Sequence, residues 1–286
     1  MPKRRTMLFV PGNNPGMLIS APILGADCVI FDLEDAVAQN EKDAACILVG
    51  NALNNLNFGS VEAVVRINGL DTPFWRSDIA AIVSKNLSTV LVPKCDSPEL
   101  VCELAAALAE EEDNKGLESG SISIMSIVES AIAVENCFQI AKSHPRMSGL
   151  LLGAEDLTAD LCATRTLSGE EIAYARGRVV VAARAAGIDA IDTPFTNVDN
   201  HEGLRTDAAL GKQMGFSGKA LISPAHVRIV RAIFSPSSSE IDWATKIMAA
   251  TEQAKIDGKG AFSVDGAMVD GPIIKRAQRI LTVAEA

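Results

Sequence analysis

The stretch TVLVPKCDSPELVCELAAALAEEE, residues 89–112, holds one whole strand–turn–helix unit. TVLV is short and wholly aliphatic, the pattern of a parallel strand buried on both faces. Ser97-Pro98-Glu99 then reads as a helix start: an N-cap serine, a proline at N1 and an acid in the first turn. The run that follows is rich in Leu, Ala and Glu, all good helix formers. Working outward, seven more strand-length runs appear: MLFVPG (7–12), CVIFDLED (28–35), AVVRIN (63–68), SISIMSIVES (121–130), GLLLGAED (149–156), DAIDTP (189–194) and GKALIS (218–223). Each precedes a segment with helical character. The one from Ser168 to Ala186 carries Ile172, Ala175, Val179 and Ala183 on one face and stops before Gly187, a good C′ residue.

Eight strand–helix units in one chain close most simply into a (β/α)8 TIM barrel, assigned here to residues 1–234. An open doubly wound sheet is the alternative, but PGNNPG (11–16), after the first strand, lacks the G-x-G-x-x-G spacing of a dinucleotide-binding turn. Residues 235–286 read as a C-terminal extension packing on the barrel or on a neighbouring subunit. It comprises a charged helix at about 238–257, a hairpin from Gly258 to Gly266 and a final helix at about 272–284.

Composition agrees with a large aliphatic core: 48% of the 286 residues are hydrophobic and only 4% aromatic. The formal net charge of −10 argues against nucleic acid as a partner, since phosphate binding draws on concentrated Lys and Arg. Lys3-Arg4-Arg5 is the largest basic cluster and reads first as a solvated tail. The six cysteines form no C-x-x-C pair, no run reaches the roughly 18 apolar residues that span a bilayer, and MLFV is too short for a signal peptide. A cytoplasmic location, with no membrane partner, is expected.

In such a barrel the chemistry gathers where strands end. Reading the strand ends yields Asp32, Glu34 and Asp35, then Arg66 and Asn68, Lys94, Glu129, Glu155 and Asp156, and Asp192. Seven carboxylates and two cations would meet at one mouth. Charges that end buried aliphatic strands are costly unless paired or bound to metal; a solvated ring of helix-capping acids is the plainer reading. Glu129 and Asp156 follow adjacent apolar strands, so their carboxylates can meet, and two carboxylates completed by water and substrate oxygens suit Mg2+. Arg66 comes from the barrel interior, where a guanidinium demands an anion, either a neighbouring acid or a substrate carboxylate. A metal beside an arginine is a receptor for a 2-oxo acid. His144, His201 and His226 fall away from the strand ends and read as structural, and Asp192-Thr193-Pro194 is also an ordinary turn initiator.

Taken together, MLFVPGN, FDLEDAV, VVRINGLD, VPKCDS, the IVES segment, LLLGAEDL, GFSGKALISP and MVDGPII resemble the citrate lyase β subunit and the wider family of citramalyl- and malyl-thioester lyases. The motifs run in order from residue 7 to about 281. The resemblance implies a Mg2+-dependent barrel that cleaves a citryl thioester, on coenzyme A or an acyl carrier protein, to oxaloacetate and an acetyl thioester. It implies Glu129 and Asp156 as metal ligands and Arg66 as the catalytic arginine that binds the oxo-acid carboxylate. It places Glu34 and Asp35 near the metal waters and Arg66, and Asp270 as a catalytic acid or base reaching a neighbouring subunit's site. Arg5 becomes a candidate grip on the thioester's phosphate-bearing arm. A homo-oligomer, a trimer by resemblance, and partner subunits of a citrate lyase complex are also implied. Ile222-Ser223-Pro224 departs from the Ile-Asn-Pro common in β subunits, which leaves open a standalone malyl-CoA or citramalyl-CoA lyase. Two other readings remain: a Schiff-base aldolase using Lys94 or Lys219, and a non-catalytic complex subunit.

Overall fold

A computed structural model describes residues 3–256 and 261–285. Eight parallel strands form a closed barrel in sequence order: β1 (Thr6–Pro11), β2 (Cys28–Asp32), β3 (Glu62–Arg66), β4 (Thr89–Val92), β5 (Ser123–Val128), β6 (Met147–Leu152), β7 (Asp189–Asp192) and β8 (Gly218–Leu221), which pairs back with β1. Around them run α1 (Pro15–Ser20), α2 (Lys42–Asn55), α3 (Trp75–Ile82), α4 (Pro98–Asn114), α5 (Ala131–Lys142), α6 (Ala154–Asp160), α7 (Ala173–Ala186), α8 (His201–Met214) and α9 (Pro224–Phe234). The helix read from Ser97 starts where expected, although the Ser97 hydroxyl caps no backbone N–H. On the segment from Ser168, the four residues read as one face are all buried, and Gly187 ends α7 in the left-handed conformation (φ 77°).

Alternation along each strand sorts side chains inward or outward. Met7, Cys28, Ile30, Val64, Leu91, Met125, Ile127, Leu151, Ile191 and Ala220 fill the interior. A β-carbon on Gly149 would lie 2.6 Å from the Met125 methyl, so the glycine makes room for the larger side chain of its register partner on the neighbouring strand. The same parity carries Asp32, Arg66 and Glu129 inward at the C-terminal ends of their strands.

The opposite end is sealed by charge. Arg4 is buried and donates to both oxygens of Glu62, at 2.8 and 2.7 Å, and to the Thr89 hydroxyl at 3.1 Å. Arg5 makes its own fork on Asp27, at 2.8 and 2.7 Å. Arg4 and Arg5 are therefore structural parts of the barrel floor and not a solvated tail. Arg5 lies on that floor, where β1 begins, at the far end from the mouth; the expectation that it grips substrate is corrected by its place in the barrel.

Contacts between residues divide the chain into two compact units, Arg4–Arg231 and a second that takes in residues 232–286. The second holds α10 (Ser238–Ile256), an antiparallel hairpin of β9 (Phe262–Val264) and β10 (Ala267–Val269), and α11 (Gly271–Glu285), packed around Ala244, Ile247, Val269 and Ala277. The hairpin turns on Asp265-Gly266, both with positive φ (53° and 81°), as a type I′ turn requires. Gly258, the expected start of that hairpin, lies outside the described residues. Among the described residues no helix is long and apolar enough to cross a membrane.

Candidate active site

The mouth is organised by the turn after β2. Asp32 accepts from the Glu34 amide at 2.9 Å and from the Ala36 amide at 3.1 Å, while Lys42 binds the carbonyls of Leu33 and Glu34 at 2.8 and 2.6 Å. Asp32 and Arg66 are register partners on neighbouring strands. That register sets a bidentate pair: Arg66 Nε and Nη2 reach the two Asp32 oxygens at 2.7 and 2.6 Å. Arg66 Nη1 lies 3.0 Å from Glu34 and 3.4 Å from Asp35, and the guanidinium sits 5.0 Å from the Phe9 ring centre. These acids raise the Arg66 pKa against the opposing effect of burial. Glu34 and Asp35 thus meet Arg66 as anticipated. Asp32, read only as one strand-end acid among seven, is the group that orients it.

Glu129 is 6% exposed. One of its oxygens accepts from the Lys94 backbone amide at 2.6 Å. To present that amide, Lys94 adopts a left-handed φ of 49°, a conformation that costs a residue bearing a β-carbon about 1–2 kcal/mol. Burial pushes the Glu129 carboxyl up to about 7, with the charges of Glu34 and Asp156 adding to the push and the Lys94 amide and Arg66 opposing it. The other oxygen fits against Gly153, where any β-carbon would lie 2.8 Å from it. Burial also raises Glu34, against the pull of Arg66.

Glu129, Asp156, Arg66, Asp32, Asp35 and Glu155 line one cleft of about 440 Å³, whose remaining wall includes Phe9, Pro11, Pro194 and Ile222. The donor set fits a hard divalent cation. The oxygens are carboxylates, the innermost is buried without an ion-pair partner among the described residues, and carboxylates outnumber cations around it. Among the described residues no group of three or more His, Cys, Asp or Glu side chains is arranged to hold a metal unaided. A cation here would take two carboxylates and complete its shell with water and substrate oxygens, the habit of Mg2+.

Not every strand-end acid reaches this cleft. Asp192 follows inward-facing Ile191 and points outward, between sheet and helices. There it meets Arg176 Nε at 3.0 Å and Lys219 Nζ at 2.8 Å, and both cations also bind Asp207. Lys219 is fully buried in that ring, outside the barrel interior. Lys94 ends β4 at the mouth, but its ammonium is 3.1 Å from Glu34, whose hydrogen bond and charge raise its pKa. A Schiff-base nucleophile needs the opposite shift. Both lysine candidates are thereby disfavoured. His226 is buried with Nε2 3.0 Å from the Val198 carbonyl, and His144 accepts from the Arg146 amide at 3.2 Å. Asp270 belongs to the second unit, where its Oδ1 accepts from the Ile273 amide at 3.5 Å and opens α11. Asp265, in the hairpin turn, is held by Lys246 at 2.6 Å.

The HpcH/HpaI aldolase/citrate lyase family matches residues 5–224 of this chain. The chain belongs to that family. Among family relatives, it is 45% identical to the citrate lyase subunit beta of Leuconostoc mesenteroides subsp. cremoris over 283 residues, covering 99% of this chain and 94% of that protein. It is 32% identical to the mitochondrial citramalyl-CoA lyase of Homo sapiens, covering 98% of this chain and 85% of that one. In fold it matches the crystal structure of CitE from Mycobacterium tuberculosis in complex with magnesium, acetoacetate and coenzyme A. That match has a TM-score of 0.80 at 30% identity and covers 99% of this chain and 98% of the other.

Proposed function

We propose that this chain is a Mg2+-dependent carbon–carbon lyase that cleaves a citryl thioester to oxaloacetate and an acetyl thioester. The observation that carries the reading is the buried Glu129 carboxyl, held at about 7 beside Asp156 and facing the clamped Arg66. The β-subunit relative, at 45% identity, favours citryl over citramalyl thioester, whose lyase is 32% identical.

Glu129 and Asp156 would hold the ion, which when bound supplies Lewis-acid polarisation of the oxygen that becomes the ketone. Arg66, fixed by Asp32, directs its remaining Nη2 N–H at the carboxylate of the oxo-acid portion. Glu34 and Asp35 hold the other edge of Arg66 and would hold water beside the ion. Cleavage passes the proton of the tertiary hydroxyl to a carboxylate of the cleft, breaks the bond between the carbinol carbon and the thioester's α-carbon, and leaves that electron pair on the thioester as an enolate. A proton returned to the α-carbon completes the acetyl thioester. We assign that donation to Asp270, acting in the site of a neighbouring subunit. This makes the enzyme a homo-oligomer, a trimer by family resemblance, working in the cytoplasm with the other subunits of a citrate lyase complex. The six cysteines form no disulfide, which suits a reducing compartment.

The test is oxaloacetate release from citryl-CoA with and without Mg2+, with malyl-CoA and citramalyl-CoA in parallel. Citryl-CoA should give the highest kcat/KM, EDTA should abolish the rate, and Glu129→Ala should be inactive on all three. Activity that resists EDTA, or that survives Glu129→Ala, would overturn the proposal. A preference for either of the other thioesters would overturn the substrate.

A further inference from the structure

The helix that carries Asp156 cannot cap itself. Its N-cap residue is Gly153, which offers no side-chain acceptor, and a β-carbon there would lie 2.7 Å from the Glu129 β-carbon and 2.8 Å from its carboxylate. Any residue able to cap α6 in the ordinary way would displace Glu129. Yet the N–H groups of a first helical turn have no acceptor within their own helix and need one from outside. Here the acceptor comes from the next strand. The Thr193 hydroxyl, fully buried at the end of β7, accepts from the Ala154 amide at 3.2 Å. Ala154 is the first residue of α6, and Asp156 lies two residues further on.

The place of Thr193 is itself fixed by the residue before it. Asp192 is fully buried, with Arg176 on both of its oxygens at 3.0 Å and Lys219 on one at 2.8 Å. A β-carbon on Gly211 would lie 2.8 Å from Asp192, so α8 is bare where it passes the carboxylate. With Asp192 anchored outward, alternation turns Thr193 inward, onto α6 and the cleft wall.

We propose that Thr193 is a positioning residue: it caps α6 in trans and so fixes Asp156 relative to Glu129, with the Arg176–Asp192–Lys219 ring as its anchor. The proposal rests on the reading of Glu129 and Asp156 as the metal pair. It explains why a glycine stands at the N-cap of a helix that bears a site residue.

The test uses the metal-free full-length chain, Mn2+ as the probe and the free Mn2+ electron paramagnetic resonance signal as readout. Amide exchange of the 153–156 backbone is followed in the same samples. Thr193→Val keeps the shape and removes the acceptor; Thr193→Ser keeps the acceptor. Val should weaken Mn2+ binding roughly 10-fold, as loss of a residue supporting a metal ligand does, and accelerate exchange at Ala154. Ser should stay within roughly 2-fold of the wild type on both measures, a rescue that a merely space-filling role would not give. Should Val not fold, Thr193→Ala replaces it with the same expectation. If Val or Ala binds Mn2+ as the wild type does while Glu129→Gln has lost it, the positioning role is overturned and the metal pair stands. If the wild type itself binds no Mn2+, or Glu129→Gln binds as tightly as the wild type, the metal pair falls and the proposal with it. Unchanged exchange at Ala154 in Val or Ala would overturn the cap.

Discussion

Replacing Glu129 by Gln should make the metal-free protein more stable while destroying its response to Mg2+. In the folded chain burial pushes this carboxyl from an ordinary 4.5 to about 7. Because the folded value is the higher one, the folded state binds the extra proton between those limits. Stability from this group is intact below about pH 4.5, falls as pH rises through 7, and is flat beyond. At pH 8 the ionised, metal-free site costs about 3 kcal/mol on conversion of that gap at 1.36 kcal/mol per pH unit. Glutamine keeps an oxygen to accept the Lys94 amide and carries no charge, so it removes the penalty without opening a cavity. For a unit of this size about 3 kcal/mol corresponds to a rise in Tm of roughly 6–12 °C. At pH 5, where the wild-type carboxyl is protonated when folded, the gain should shrink to about 1 kcal/mol. Thermal denaturation in EDTA at pH 5 and pH 8, repeated with saturating Mg2+, reads all of this. Mg2+ should raise the wild-type Tm at pH 8 and leave the glutamine variant where it was. A variant no more stable than the wild type at pH 8 in EDTA, or one equally stabilised at both pH values, would refute the idea that a buried carboxylate under net desolvation penalty sits at this position.

Asp32→Asn should release Arg66 from its fork and lower kcat/KM about 10- to 100-fold, the cost of losing a charge-assisted hydrogen bond, with Mg2+ affinity little changed; steady-state kinetics against a Mn2+ titration separates the two. Arg4→Met should leave Glu62 charged and unpaired in the barrel floor and lower stability by about 3–5 kcal/mol in urea denaturation, without touching the mouth. Asp270→Ala mixed with Arg66→Ala should regain part of the activity that each lacks alone if the site is shared between chains, whereas mixtures that stay inactive would argue for action within one chain.

The fold was legible because eight aliphatic runs of strand length announce themselves, and the lack of aromatics left few other ways to build the core. Arg66 and Glu129 were legible for a related reason: each ends an apolar strand on its inward parity. Asp192 was misplaced at the mouth although the remedy lay in the same rule. In DAID the inward residue is Ile191, so the acid after it faces the helices. The same rule of direction puts Arg5, which stands at the start of β1, on the floor of the barrel and not at its mouth. What sequence could not show was pairing between strands. Asp32 holds Arg66 because β2 and β3 are in a particular register, and Thr193 serves α6 because β7 lies beside β6. Gly153 is the residue whose meaning changed most. In the sequence it was a letter of the GAED motif, whereas in space it is the room that Glu129 needs.

The excess of acids at the mouth also bears on the order of events. Asp32, Glu34, Asp35, Glu129, Glu155 and Asp156 stand around Arg66 and Lys94, so the resting entrance attracts cations and repels a polyanionic thioester. A substrate carrying carboxylates and phosphates then meets a hostile field until a divalent ion has docked, and loading should be sequential: ion first, thioester second. Direct titrations would show it: Mg2+ should fill the thioester-free protein, whereas thioester should bind measurably only once Mg2+ is present, each ligand tightening the other by the same factor.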